Sequence, residues 1–223
     1  MISSLIDKQD RFEQVRDQIA AILKLETDSQ QALATAAGKD PDQWKLNVYS
    51  ERSNPWDQYQ DHEPVDQAPI VNVWVDNMSF DKSKSDRFSR QHTTALFNID
   101  CYGYGVSSAD GQGHKAGDEQ ANLEVQRAVK LVRNIIMAAD YMLLEMQGEV
   151  SGRWINSISM YQPEQNNNAS GKVSAARLTL EVEFNEFAPQ MDEATIEYLS
   201  TQVCRQNDGK IVLAVDYDYT QEP

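Results

Sequence analysis

Hydrophobic positions near the start of the chain recur at three- and four-residue steps, at Phe12, Val15, Ile19, Ile22 and Leu23, with Asp10, Glu13, Arg16 and Asp17 on the other face. That spacing predicts an amphipathic helix, and Ile2, Leu5 and Ile6 extend the same stripe. A second helical stretch is expected from Asp28 to Ala37, with Asp28 or Ser29 as its N-cap and Gly38 then Pro41 as its stop. The period then falls to two. Trp44–Tyr49 alternates and carries aromatic and β-branched residues, which marks a strand. Ile70–Val75 is almost continuously apolar and predicts a strand buried on both faces. Thr93–Tyr104 places Ala95, Phe97, Ile99 and Cys101 on one face and Thr94, Leu96, Asn98 and Asp100 on the other. The longest helical pattern runs from Asp118 to about Gln147, with Asp118 and Glu119 matched to the positive helix N-terminus and Gly148 beyond its end. Arg153–Tyr161 and Val173–Phe187 follow as strands. In the latter, Leu178, Leu180, Val182 and Phe184 face one way and Thr179, Glu181 and Glu183 the other.

The connections differ in character. Ser50–Pro69 holds three prolines and predicts a long loop, a feature that in a compact domain usually carries a function or moves. Tyr104–Gly117, with glycines at 105, 111, 113 and 117, predicts a flexible connection, and Pro163–Gly171 a polar loop. The element order predicts an α+β domain over residues 1–188: a mixed or antiparallel sheet with the N-terminal helix and the long helix packed on one face. Residues 189–223 form an acidic C-terminal extension, expected to hold a short helix over Met191–Val203 and a strand over Ile211–Val215.

Composition narrows the function. The 223 residues carry 35 Asp and Glu against 20 Lys and Arg, a formal charge of −15. This argues against broad binding to a phosphate backbone or an anionic membrane surface, both of which need clustered bases. No apolar run approaches the roughly 18 residues of a membrane span. The opening Met1–Asp7 lacks the basic end and apolar stretch of a signal peptide, so no export is expected. Cys101 and Cys204 alone make no disulfide framework and suit a reducing compartment.

A search for chemistry assigns no catalytic, cofactor or metal residue. His62, His92 and His114 fall in loops or at a strand edge without metal-ligand spacing. Asp110–Lys115 precedes a helix but fails the phosphate-loop pattern. Ser79–Lys82 matches SxxK without its partner motifs, and Cys101 sits mid-strand as an inert thiol. A carboxylate pair for glycoside hydrolysis would draw on Asp76 and Asp100, among acids so numerous that solvated faces explain nearly all.

Charge distribution is more informative. Residues 181–223 contain ten acids and two bases, more than half the net charge, with Asp192, Glu193, Asp216 and Asp218 among them. Against this stands the basic segment Asp81–His92, with Lys82, Lys84, Arg87 and Arg90 around Phe88. It reads either as a solvated hairpin tip or as an electrostatic contact for the acidic extension of another copy, with Phe88 an apolar anchor. Head-to-tail pairing of that kind closes into a ring when the rotation permits.

The ordered pattern resembles a known family. The helix leads to Val48-Tyr49-Ser50-Glu51-Arg52-Ser53, then a proline-bearing loop ending Ala68-Pro69-Ile70-Val71-Asn72-Val73, then Phe97-Asn98-Ile99-Asp100-Cys101-Tyr102-Gly103, a long helix and two closing strands. Over about residues 5–187 this resembles the tail-terminator (tail-completion) proteins of long-tailed bacteriophages. The segment after Pro189 departs from the small version of the family. The resemblance implies a non-enzymatic virion protein of the tail and neck, assembled in the host cytoplasm. Its copies would form a homohexameric ring that caps the tail tube, ends its polymerisation and meets the head connector, with viral DNA passing through. In contractile tails the ring would also anchor the sheath. An acidic lumen would keep passing duplex from sticking, although solubility accounts for the charge equally well. Other readings are a different neck or head-completion protein, a small hydrolase with an acidic site, and an acidic module that mimics nucleic acid.

Overall fold

A computed structural model describes residues 5–59, 67–85, 90–110, 113–163, 172–187, 198–204 and 211–218, of which 109, 110, 113–115 and the last two ranges are described by backbone alone. The chain divides into two compact units, Asp7–Ala188 and a smaller one of Pro189–Pro223 with Met1–Ile6.

The larger unit is an α+β fold. Its elements are α1 (Arg11–Ala36), β1 (Asn47–Ser50), β2 (Ile70–Asp81), β3 (Gln91–Gly105), the short pair β4 (Ser108–Asp110) and β5 (Gly113–Lys115), α2 (Gly117–Ile136), β6 (Val150–Tyr161) and β7 (Lys172–Glu186). Five strands form one mixed sheet in the order β1-β2-β3-β7-β6, with β1 parallel to β2 and every other pair antiparallel. Strict alternation sets the register. Val71, Val73, Phe97, Ile99, Cys101, Ala176, Leu178, Leu180, Val182 and Phe184 share one face and are buried with Val15, Ile19, Ile22 and Leu23 of α1 and Val125, Ala128, Val132 and Ile136 of α2. The periods of 2 and 3.6 in the sequence meet in this single apolar layer.

Glycine fixes how closely α2 lies on the sheet. A β-carbon at Gly103 would stand 2.5 Å from the carbonyl oxygen of Ala121 and 2.8 Å from the amide of Val125, and Gly105 is closed in the same way by the backbone of Gly117 and Ala121. These are rigid backbone atoms that cannot swing aside. Of the glycines expected to make a flexible connection, Gly105 and Gly117 therefore act instead as packing surfaces, as Gly103 does. The intervening β4 and β5 pair as a small hairpin.

Other boundaries moved for physical reasons. The two expected N-terminal helices are one, because nothing between Leu25 and Asp28 interrupts the backbone ladder and good helix formers continue it. Leu5 and Ile6 precede that helix and are exposed. The Asp10 amide donates to Glu13 Oε2 (2.9 Å) at its start. Gly38, at φ 67°, lets the Lys39 amide turn back onto Ala34 O (2.9 Å) at its end. Helix α2 stops at Ile136 rather than near Gln147, since Arg153 of β6 donates to the carbonyls of Tyr141 (2.7 Å) and Ala138 (2.8 Å) and holds a 3-10 turn there. Trp44 lies in a 3-10 turn over Pro41–Trp44, and β1 begins only at Asn47. Strand β2 runs on to Asp81 past a bulge at Asp76, and only Ile70–Val73 is fully buried.

In the smaller unit, β8 (Tyr198–Cys204) and β9 (Ile211–Asp218) pair antiparallel. The helix expected over Met191–Val203 is thus strand at 198–203, where Leu199, Thr201 and Val203 alternate with polar residues; positions 191–197 lie outside the described residues. The register puts Leu199, Thr201, Val203, Leu213, Val215 and Tyr217 on one face and Ser200, Gln202, Asp216 and Asp218 on the other.

One carboxylate joins helix to sheet. Glu186, at the end of β7, accepts from the backbone N–H groups of Arg11 (2.8 Å) and Phe12 (3.2 Å) at the α1 N-terminus. Burial nevertheless holds its pKa above the ordinary carboxylate value, outweighing those donors.

Two predictions follow from this packing. Gly103→Val should destabilise the fold by about 1–3 kcal/mol, the usual cost of overpacking, measured by urea unfolding; wild-type stability would show that the helix yields. A raised folded pKa at Glu186 means that its stabilising contribution is present below its unfolded pKa and lost as pH rises through the folded one. The stability of the wild type relative to Glu186→Gln should therefore fall across that interval. A difference that stays constant with pH would refute the burial argument.

Candidate functional site

Among the described residues, the sheet face away from the helices is covered only at one end. There a 3-10 turn, Pro55–Tyr59, occupies the first half of the expected long loop and folds back onto β3. Tyr59 stacks on Tyr104 (centroids 5.2 Å apart), Trp56 tilts over Tyr102 (5.0 Å), and the Tyr59 hydroxyl donates to Ala68 O (2.5 Å). With Ile70, Val173 and Ala175 these rings make a second, smaller apolar cluster. Of these, Trp56 and Tyr102 form one wall of a cleft of about 350 Å³.

A buried charge lies at the bottom of it. Asp100 of β3 is only 3% exposed in its side chain, and its register neighbours are Asn72 on β2 and Arg177 on β7. Arg177 grips it with both prongs, Nε to Oδ1 at 2.7 Å and Nη2 to Oδ2 at 2.9 Å. Trp74 Nε1 donates to Oδ2 (2.9 Å), and the Tyr102 hydroxyl donates to the same oxygen at 3.4 Å. The Tyr161 hydroxyl in turn donates to that of Tyr102 (3.0 Å). The guanidinium of Arg177 is flanked by the rings of Trp74 (4.8 Å) and Tyr161 (5.5 Å). The Asp100 hydrogen bonds hold the Arg177 pKa above its ordinary value, so the guanidinium stays charged. Burial raises the pKa of Tyr102, and pushes that of Tyr161 up to about 12, so both remain protonated donors.

A second guanidinium stands at the mouth. Buried Asn72 brackets Arg52, accepting from its amide at Oδ1 (3.0 Å) and donating from Nδ2 to its carbonyl (3.0 Å). Glu51 just before it takes φ 54°, a left-handed turn that swings the chain out of β1. The Arg52 side chain lies over the Tyr49 ring (4.6 Å) and makes no ion pair with a described residue. The Glu51 carboxylate faces Arg16 (3.4 Å) and accepts from the Val75 amide (3.2 Å).

The residues singled out by charge lie elsewhere. Lys82 and Lys84 are exposed in the turn after β2, where the Ser83 amide (2.8 Å) and hydroxyl (2.7 Å) donate to Asp81 and hold its carboxyl below the usual range. Arg90 is exposed just before β3, and Arg87 and Phe88 lie outside the described residues. So do Asp192 and Glu193, while Asp216 and Asp218 sit two residues apart on β9. Of the two acids weighed for hydrolysis, Asp100 is committed to Arg177 and Asp76 is exposed at the β2 bulge, so they do not form an acid–base pair. Among the described residues no group of three or more His, Cys, Asp or Glu is placed to hold a metal. Cys101 is buried, which raises its thiol pKa. No described helix is long and apolar enough to cross a membrane.

Sequence reasoning passed over Arg52, Asn72, Trp74, Tyr161 and Arg177. One signal was available: Arg177 is a lone base on the polar side of β7, as Asp100 is a lone acid in a buried strand. No protein-family model and no curated protein matches the chain.

Arg177→Ala strands a carboxylate in the sheet and should cost about 3 kcal/mol, the low end for breaking a buried pair because Arg177 keeps some contact with water. Replacing both partners, Asp100→Leu with Arg177→Met, should cost less than the single change. Chemical unfolding of the three variants measures the order, and an additive double variant would show that the two groups are not coupled.

Proposed function

We propose that this chain is a structural virion protein, a tail terminator. Its copies associate into a ring that caps the tail tube, stops its growth and joins the tail to the head connector. Support comes first from the order of elements. A helix, a mixed sheet with a proline-bearing excursion between β1 and β2, a long helix and two closing strands follow the order that the resemblance rests on.

The observation that carries the reading is an unfinished surface. Strand β6 is an edge strand twelve residues long, with exposed Trp154 (48%), Ile158 (43%) and Met160 (50%) and a single charged residue, Arg153. Proteins usually blunt such an edge with charges or proline, because its free backbone groups invite another strand. Two bulges interrupt its first part, but Ser157–Tyr161 runs without a break. A two-stranded hairpin is marginal by itself, and the register of the β8–β9 pair gathers Leu199, Val203, Leu213, Val215 and Tyr217, with Thr201, on one face. Chains with open edges and amphipathic arms are suited to assembly with copies and neighbours. A different neck or head-completion role, with sheath contacts included, shares all of these features, and tail length in the absence of the protein would separate them.

Negative-stain microscopy of the purified protein, alone and mixed with tail tubes, tests the reading. Rings seated at one tube end are expected. Monomers indifferent to tubes would overturn it.

A further inference from the structure

The five-stranded sheet ends in two edges, β1 and β6, and the register fixes which backbone groups each leaves over. At β1 the Asn47 amide donates to Pro69 O (2.9 Å) and the Glu51 amide to Val73 O (3.0 Å). In a parallel ladder that spacing commits Asn47, Tyr49 and Glu51 to β2. The N–H and C=O of Val48 and Ser50 therefore point away from the sheet, and no described residue bonds them. The alternation carries across. Val71 and Val73 serve β1, so Ile70, Asn72 and Trp74 serve β3 through Tyr102, Asp100 and Asn98. Ile99 and Cys101 are left for Leu178 and Ala176 of β7, and Arg177 and Thr179 of β7 for Ser159 and Ser157 of β6. Ile158 and Met160 are thus the β6 residues whose N–H and C=O face outward.

The two edges fit one another. They run in opposite directions, so a repeat of the sheet sets β1 of one copy antiparallel to β6 of another. On both, the outward groups belong to residues on the helix side: Val48 and Ser50 stand beside Val71 and Val73, and Ile158 and Met160 beside Leu178 and Ala176. Joining them keeps the helices of both copies on one face. Neither Leu46–Ser50 nor Trp154–Tyr161 contains a charged residue, so no carboxylate meets another in a chain of net charge −15. Helix cover decides which edge β6 takes. Helix α1 packs over β1 and β2 and α2 over β3 and β7. Val48 is accordingly 8% exposed, whereas Ile158 and Met160 on the same face are 43% and 50% exposed. A β1 arriving from a second copy brings its α1 to their side; a second β6 would bring only more bare side chains.

We infer that copies of this chain join edge to edge, β6 of one pairing antiparallel with β1 of the next, Met160 opposite Val48 and Ile158 opposite Ser50. Among registers that keep the faces aligned, this one pairs all four outward residues, and each pair exchanges both its N–H···O bonds. Ser159 then falls opposite Tyr49 on the other face. The contact is heterologous and repeats around an axis, as a closed ring requires. The inference rests on the self-association part of the proposed function and on nothing else in it.

Disulfide trapping in the full chain tests the register, in a Cys204→Ser background; Cys101 is buried. Ser159→Cys with Tyr49→Cys places two thiols at a non-hydrogen-bonded pair, where Cα atoms lie about 4.5 Å apart, within disulfide reach. Inside one chain these positions are at opposite edges of the sheet, roughly 19 Å apart at strand spacing, and cannot join. Oxidation where the wild type self-associates, in solution or on tail tubes, should give a ladder of covalent multimers on a denaturing gel. Each single variant should stay monomeric, and a mixture of the two should stop at dimers. Independently, Met160→Pro removes an outward N–H that β7 does not use and should weaken self-association at least tenfold in sedimentation velocity. Should it fail to fold, Met160→Lys must show the same loss. An associated double variant without cross-links, dimers from either single variant, or wild-type association in a folded Met160 variant overturns the edge pairing. Rings seated on tubes alongside any of those results leave the ring reading standing; a wild type that stays monomeric and ignores tail tubes removes both.

Discussion

A carboxylate in the middle strand of a five-stranded sheet has to be met on every side. Asp100 has lost nearly all its water, and an uncompensated charge there would cost more than a single hydrogen bond returns. Meeting that demand organises the open face. Strand β7 supplies a guanidinium at the register position directly opposite, β2 supplies an indole N–H from Trp74, and Tyr102 adds a hydroxyl from the same strand. Arg177 is in turn kept flat between two rings, and one of those rings, Tyr161, bonds back to Tyr102. The result is a closed circuit across four strands whose members each fix another. Such a circuit rigidifies only because it is complete; a partly satisfied one would be worse than an apolar patch.

The other face follows a different rule. There the sheet is sealed by close approach, and the positions that matter are those with no side chain. Gly103 and Gly105 let α2 settle directly on the β3 backbone, and that proximity is what allows Ala121, Val125 and Ala128, all small or short, to fill the layer. One face is thus rigid through dense packing and the other through paired charges. Strand β3 belongs to both, carrying Ile99 and Asp100 as neighbours that point opposite ways. A shift of one residue in its register would bury Asp100 under the helices and turn Ile99 outward, so the two layers lock each other in place.

That dual role explains which parts were legible in the sequence. The helix layer is written in period: Val15, Ile19 and Ile22, or Leu178, Leu180 and Val182, announce their partners by spacing alone, and the α+β order came from those runs. Boundaries governed by single side chains reaching across the fold were not legible. Nothing near Ile136 says that Arg153, seventeen residues on, will take the carbonyls of Ala138 and Tyr141 just beyond the end of α2. The cleft was hidden for a related reason. Arg52 sits in a stretch that looks like any proline-bearing loop, and its placement depends on Asn72 twenty residues away. Charge counting pointed instead to Lys82, Lys84 and Arg90, which are numerous and exposed. A cluster of solvated bases is conspicuous in a sequence, whereas two guanidiniums posed by aromatic rings are not.

The distinction bears on how such a chain recognises anything. Long, hydrated lysines contribute attraction at a distance that salt removes, and little fixed geometry. Arg52 and Arg177 have already paid most of their ordering entropy in the free protein, one against Tyr49 and one between Trp74 and Tyr161, so a carboxylate arriving there loses less on binding. With net charge −15 the copies repel one another on average. Association under that repulsion favours contacts that are local, oriented and partly desolvated over broad surface attraction. Among the described charged groups the Asp100–Arg177 circuit and its neighbouring Arg52 come closest to that description.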